Sequence, residues 1–381
     1  MVETKHIRIH PLRSRRNFLE LTAALGVGAA LAPFLSACSS SGYIEGVNRI
    51  RERPFTQEFT MSNQMIDIIR YATLAPSGHN TQPWKFSIKD NIICIFPDFT
   101  RRLPIADPDD RELYISLGCA LENLTVAAHH VGFEVDVEYF PSSEPKDCIL
   151  IRLRNASPDM NELLFKAIPE RQCTRNEYHG QSIPSPDLKK LEYTPKEPGV
   201  NSILFTDTRQ IEPLIEYVRE GNNIQLADDA FLDELKSWIR FSDGEALEKG
   251  DGLSSRSTGN PSVPRWLGKF FMNLFLSGES QGKTDEKMIR SSSGLILFVS
   301  DRNDRKAWIE VGQTYERWAL TSTSLNIKSA FLNQPTEVPK LRAQLQQHLN
   351  LGSAQPQLLV RFGYSEPMPR SPRRPVEQVI L

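Results

Sequence analysis

Apolar residues recur at helical spacing over two long stretches of the chain, and alternate or cluster in short runs elsewhere. Leu113, Leu117, Leu121, Leu124 and Ala128 step by threes and fours, so the pattern predicts a buried helix near 110–131. Trp308, Val311, Tyr315 and Ala319 do the same within 307–325. A shorter stripe of Met65, Ile66, Ile69, Ala72 and Thr73 predicts a helix at about 62–75. Further helices are expected at 160–168, 210–222 and 230–242, and another opens near Ser185 as its N-cap. Short apolar runs predict strands at 84–88, 92–96, 134–140, 147–154, 200–206, 295–300 and 357–364.

Two series of helix and strands follow one another, so the expected fold is α+β, with two related helix-plus-antiparallel-sheet halves in one chain. The halves are placed at 61–158 and 159–381. Residues 245–290 interrupt the second half with Gly, Ser, charges and the aromatic residues Trp266, Phe270, Phe271 and Phe275. An insertion of that length reads as a lid over a flat ligand, or else as a surface helix.

The first 37 residues are of another kind. Ser14-Arg15-Arg16-Asn17-Phe18-Leu19 reads as a twin-arginine signal, followed by an apolar stretch from Leu21 to Leu35. That stretch is shorter than the roughly 20 residues that span a bilayer. It ends in Leu35-Ser36-Ala37-Cys38, which resembles a lipoprotein cleavage box with Cys38 as the acylated residue; an uncleaved short anchor is the alternative. The expectation is export of a folded chain by the twin-arginine machinery, a lipid anchor, and a periplasmic or cell-surface location. Residues 38–60 then read as a tether.

The chain has 381 residues and a formal net charge of −2, with no basic field that would point to nucleic acid. Cys94, Cys119, Cys148 and Cys173 have no Cys-x-x-Cys spacing, and the histidines have no metal-ligand spacing, so no metal site is expected. Buried thiols suit the apolar surroundings of the first three cysteines, although an oxidising compartment permits a disulfide.

Three segments carry candidate chemistry. In Ala75-Pro76-Ser77-Gly78-His79-Asn80-Thr81-Gln82-Pro83-Trp84, a helix stops at Pro76 and Gly78. Ser77, Asn80 and Gln82 then offer donors and acceptors suited to a heterocycle edge, unless the turn merely delivers Trp84 to the core. In Arg171-Gln172-Cys173-Thr174-Arg175, alternate positions of an extended chain face one side, and two adjacent guanidiniums suit a phosphate or a pair of salt bridges. The tail carries Arg370, Arg373 and Arg374 among prolines, and alone would read as a solvated basic tail.

The three segments together resemble the nitroreductase family, whose flavin loop reads Pro-Ser-x-x-Asn-x-Gln-Pro-Trp. Its opening Arg-x-Ser-x-Arg motif and basic tail hold the FMN phosphate. The resemblance implies FMN as cofactor, with Arg171, Cys173, Arg175, Arg373 and Arg374 at its phosphate. It places Pro76, Ser77, Asn80 and Gln82 along the ring and ribityl chain, and Asn333 and Gln334 near the reactive edge. Cys173 departs from the usual Ser or Thr. The loop also precedes the arginine motif, the reverse of the ordinary order, which a fused pseudo-dimer of the Acg-type exported branch would show. The implied activity is two-electron reduction of a nitroaromatic, quinone or similar flat acceptor, using NAD(P)H or another reductant. The alternatives are a lid-closed protein that binds or sequesters FMN, and a solute-binding lipoprotein without cofactor.

Overall fold

The computed structural model describes residues 40–56, 60–142, 147–158 and 162–381. The signal, the apolar stretch and Cys38 lie outside them. Residues from Tyr43 to Leu381 form one compact unit.

In that unit, two four-stranded antiparallel sheets flank a pair of long helices. The first sheet is built from Trp84–Lys89, Ile92–Pro97, Phe133–Tyr139 and Ile149–Asn155, in the spatial order first, second, fourth, third. The second uses Val200–Phe205, Gly294–Ser300, Lys328–Phe331 and Gln355–Gly363 in the same order. In both, a 20-residue helix connects the second strand to the third: Arg111–His130 and Arg305–Ser324. Arg111, Ile115, Gly118 and Glu122 of one helix recur as Arg305, Ile309, Gly312 and Glu316 of the other, at one constant offset.

These central helices cross where neither has a side chain. A Cβ on Gly118 would stand 2.0 Å from the Ile309 carbonyl oxygen, and one on Gly312 would stand 2.0 Å from that of Ile115. Two backbones can approach this closely only through paired glycines. Around the crossing, Leu117, Leu121 and Leu124 from the first half and Tyr315, Trp318 and Phe298 from the second join one continuous core. Burial is therefore shared between the halves.

The main elements lie where the periodicity put them, with end shifts of one to a few residues. Ser185 sits inside its helix as the first residue; Pro184 holds the cap position, with no side-chain cap bond. The segment read as a tether contains a helix, Ser40–Arg51, in which Tyr43, Val47 and Arg51 are buried. The Tyr43 hydroxyl meets Ser254 Oγ at 2.7 Å, so this part of the segment is packed structure. The basic tail is likewise folded: Phe86 N–H donates to the Val379 carbonyl at 2.8 Å, and Leu381 N–H donates to that of Phe86.

The halves differ most between their first two strands. In the first half a two-residue turn suffices, with Asp90 at φ +54°. In the second, the chain leaves at Phe205 and returns at Gly294 through helices including Thr208–Leu226, Asp229–Trp238, Arg265–Phe275 and Gly278–Arg290.

Candidate functional site

The Met61–Ala72 helix leads into a turn with a strained backbone. His79, Asn80 and Gln82 all have positive φ, near 45–55°, and the turn closes through Asn80 N–H to Ser77 O at 2.9 Å. Ser77 Oγ accepts from Gln82 N–H at 2.9 Å, which fixes the hydroxyl inside the loop.

This loop forms one wall of a cavity of about 560 Å³. Pro76, Ser77, Gly78 and His79 line it, facing Cys173 and Arg175 and the run Ala330–Gln334. Glu112, Ile115, Ser116 and Cys119 of the first central helix form its floor. Leu253, Thr258, Asn260, Leu276, Asp285 and Met288 come from the segment expected to be a lid. A more open pocket of about 440 Å³ lies by Trp238, where Arg240 and Asp251 already form an ion pair of 2.7 Å.

The expected site residues divide into two groups. Pro76, Ser77, Cys173, Arg175, Asn333 and Gln334 reach the cavity. Asn80, Gln82, Arg171, Arg373 and Arg374 stand behind its wall and tie segments together. Asn80 Nδ2 donates to the carbonyls of Gly252 and Pro372 at 3.0 and 3.2 Å, while its Oδ1 accepts from Arg373 at 2.8 Å. Gln82 Nε2 donates to Gly250 O at 2.8 Å, and its Oε1 accepts from Arg374 N–H at 2.9 Å. Both amides are thus occupied in clamping the tail and the lid segment to the loop.

Arg171 and Arg373 both donate to the Leu74 carbonyl at 3.1 Å, and Arg373 also to that of Ala75 at 3.0 Å. Arg51 joins them: burial, then the charges of Arg373 and Arg171, holds its pKa well below the ordinary value. Burial and Arg171 bring that of Arg373 down to about 9. The acid paired with Arg171 is Glu316, at 3.0 Å, whose pKa burial raises to about 7 despite the arginine beside it. Arg171 Nη1, Arg373 Nε and Arg51 Nε have no hydrogen-bond partner. A buried group so rich in cations calls for another anion.

Sequence reading missed several wall residues. Burial and the neighbouring Glu337 push the Glu112 carboxyl well up, and burial also raises Glu337. Asn333 Nδ2 donates to Glu112 Oε1 at 3.0 Å, and Gln334 Nε2 donates to Asp285 Oδ2 at 3.1 Å. Arg361 lines the cavity above the Tyr178 ring, 4.0 Å from its centroid, and its Nη1 is unpartnered. Glu112 lies in the acidic run 107–112 and Glu337 is the single acid of its stretch, and only the fold brings them to one wall. Loss of hydration, and then the charge of Arg175, lowers the His79 pKa to about 4, which keeps the imidazole neutral.

The chain matches no family model. It is 27% identical over 321 residues to a Mycobacterium tuberculosis protein provisionally named an NAD(P)H nitroreductase, covering 82% of this chain and 90% of that one. A second protein of that organism, provisionally named the NAD(P)H nitroreductase acg, is 26% identical over 330 residues, covering 82% and 93%. The sequence likeness supports the nitroreductase family. Among solved structures, a nitroreductase-like protein of Anabaena variabilis aligns over 84% of this chain and 91% of its own, at 9% identity and a TM-score of 0.46. The FMN-bound nitroreductase of Bacteroides fragilis aligns over 54% of this chain and 90% of its own, at 19% identity and a TM-score of 0.31. In this nitroreductase-like chain, the cavity draws on both halves and on the insertion of the second.

Proposed function

We propose that the chain is an FMN-dependent oxidoreductase of nitroreductase type, a fused pseudo-dimer with one flavin site. One observation carries the reading: the loop, the Cys173–Arg175 segment and the Ala330–Gln334 run meet at one cavity backed by buried guanidiniums short of an anion. A flavin phosphate supplies such an anion. Arg175 and Cys173 would hold it at the wall, with the field of Arg171 and Arg373 behind and Ser77 facing the ring or ribityl chain. Pro76, Gly78 and Phe331 offer surfaces for a flat ring.

FMN held there would supply two-electron transfer to a flat acceptor such as a nitroaromatic or quinone. The chain contributes the surroundings. Burial raises the pKa of both Glu112 and Glu337, a direction that suits the pair to carrying a proton for the acceptor, while Arg111, 3.1 Å from Glu112, opposes it. Neutral His79 adds no charge there. Leu103, Phe231 and Leu276 exclude water.

The fusion reading is supported by the repeated strand order and by the Arg, Ile, Gly and Glu shared by the central helices. Twin-arginine export and acylation at Cys38 rest on the N-terminal sequence. The reductant is NAD(P)H, as in the names of the relatives, or another two-electron donor available after export. A second reading, an FMN-sequestering protein, is favoured by the lid segment over the cavity.

One experiment separates them. The purified chain is reduced anaerobically with dithionite and mixed with a quinone or nitrofuran. Reoxidation that accelerates with acceptor concentration supports the enzyme. A bound flavin that reoxidises at a rate indifferent to acceptor supports sequestration, and a protein that takes up no flavin overturns both.

A further inference from the structure

The Arg265–Phe275 helix presents an apolar stripe that nothing among the described residues covers. Trp266, Phe270 and Leu274, four residues apart, are 71%, 57% and 60% exposed. Large side chains repeated at this spacing form one continuous face. The opposite face is seated on the fold: a Cβ on Gly268 would fall 2.0 Å from the Phe241 ring, and Arg265 donates to the Ile239 carbonyl at 2.7 Å. Lys269 and Asn273, both exposed, border the stripe. Trp, Phe and Leu edged by a lysine, on a helix too short to cross a bilayer, are the chemistry of a helix lying in a membrane surface. No helix among the described residues is long and apolar enough to cross a membrane.

The length of chain outside the fold selects the occupant. Tyr43 is 2% exposed and anchored to Ser254, in the same insertion that carries the helix. Cys38 precedes it by so few residues that even a fully extended connection reaches only ~18 Å. An acyl chain on Cys38 would therefore hold the insertion at the bilayer. A single acyl chain gives only marginal attachment, so a second membrane contact is expected of a stably held protein.

We propose that the Arg265–Phe275 helix docks on the bilayer surface through Trp266, Phe270 and Leu274, as a second anchor beside the lipid. Leu276, the next residue after the helix, lines the cavity, so docking brings the cavity wall to the lipid boundary. The inference rests on the reading that the chain is delivered to a membrane.

The test uses the unacylated chain from residue 39 onward, which contains every described residue. It is mixed with vesicles of phosphatidylethanolamine and phosphatidylglycerol carrying brominated acyl chains. Binding on sedimentation is expected, with quenching of fluorescence that the Trp266→Phe variant no longer shows. Replacing Phe270 and Leu274 with Asp should weaken binding by about tenfold or more, with the melting temperature unchanged. Absence of both binding and quenching overturns the proposal. So does a concentration-dependent dimer that the same Asp substitutions dissociate, because the stripe then belongs to a second copy. Separately, mass spectrometry of the exported protein tests acylation at Cys38. A chain that is not acylated but still binds vesicles removes the anchor reading and leaves the docking helix standing.

Discussion

The two halves of the chain share a strand order, a long helix and four residues on that helix, yet among the described residues the cavity lies at one end of their interface. Its floor is Glu112, Ile115, Ser116 and Cys119 of the first central helix. The matching positions on the second are Lys306, Ile309, Glu310 and Gln313, and there the space is taken. Tyr139 donates to Gln313 at 2.8 Å, Lys306 lies over the Tyr139 ring, and Glu310 pairs with Arg302 at 2.7 Å. The two equivalent glutamates divide in the same way. Glu122 takes a two-pronged bond from Arg317, at 2.7 Å on each oxygen, whereas Glu316 stands among the arginines behind the cavity. A repeated fold thus carries one open site and one filled with side chains, and the long insertion lies over the open one.

The largest effect should come from the feature both halves share. Gly118→Val or Gly312→Val drives a side chain into a backbone carbonyl, and no folded, soluble protein is expected on expression. Recovery of a normally melting protein would mean that the helices do not cross at these glycines.

Next come the unlike ends. Arg171→Leu leaves Glu316 buried beside fewer cations, which should cost about 3–5 kcal/mol in denaturant unfolding. Arg175→Ala removes a cavity-lining cation whose side chain, among the described residues, is otherwise tied only by a long bond to the Ser257 carbonyl, at 3.4 Å. It should therefore lower FMN affinity by roughly tenfold or more, with stability changed by less than about 1 kcal/mol.

Glu316 also predicts a pH dependence. Its pKa is raised from 4.5 to about 7 in the fold, so the native state binds the extra proton between those values. Its contribution to stability is full below about 4.5 and is lost as pH rises through about 7. The Glu316→Gln variant should show a flatter profile of unfolding free energy over that window. An unchanged profile would indicate that the carboxyl is already ionised.

The smallest effect is expected in the filled end. Tyr139→Phe removes one hydrogen bond to Gln313 and should cost about 1 kcal/mol without altering flavin content. A lost flavin there would show that the filled end is also a site.

Most of the architecture was legible because burial writes its period into the chain, as in the Leu113–Leu124 stripe. The strand Lys328–Phe331 was missed because four residues show too little alternation, and Ser40–Arg51 because its charged run masks a stripe of only Tyr43 and Val47. The candidate site was legible as segments but not as side-chain directions. Motif spacing led to Pro76, Ser77, Cys173, Arg175, Asn333 and Gln334. It did not reveal that Asn80 and Gln82 turn back to clamp the tail, since the positive φ values of the loop decide that. Nor did it give Arg51 or Glu112, which meet their partners only through tertiary packing.

The central claim is one flavin site per chain, built across both halves. The most direct measurement is the FMN released by acid from purified protein after saturation and removal of excess ligand, counted against protein by amino-acid analysis. About one FMN per chain, lowered at limiting ligand by Arg175→Ala and not by Tyr139→Phe, is the predicted result. Two per chain, or none, would contradict it.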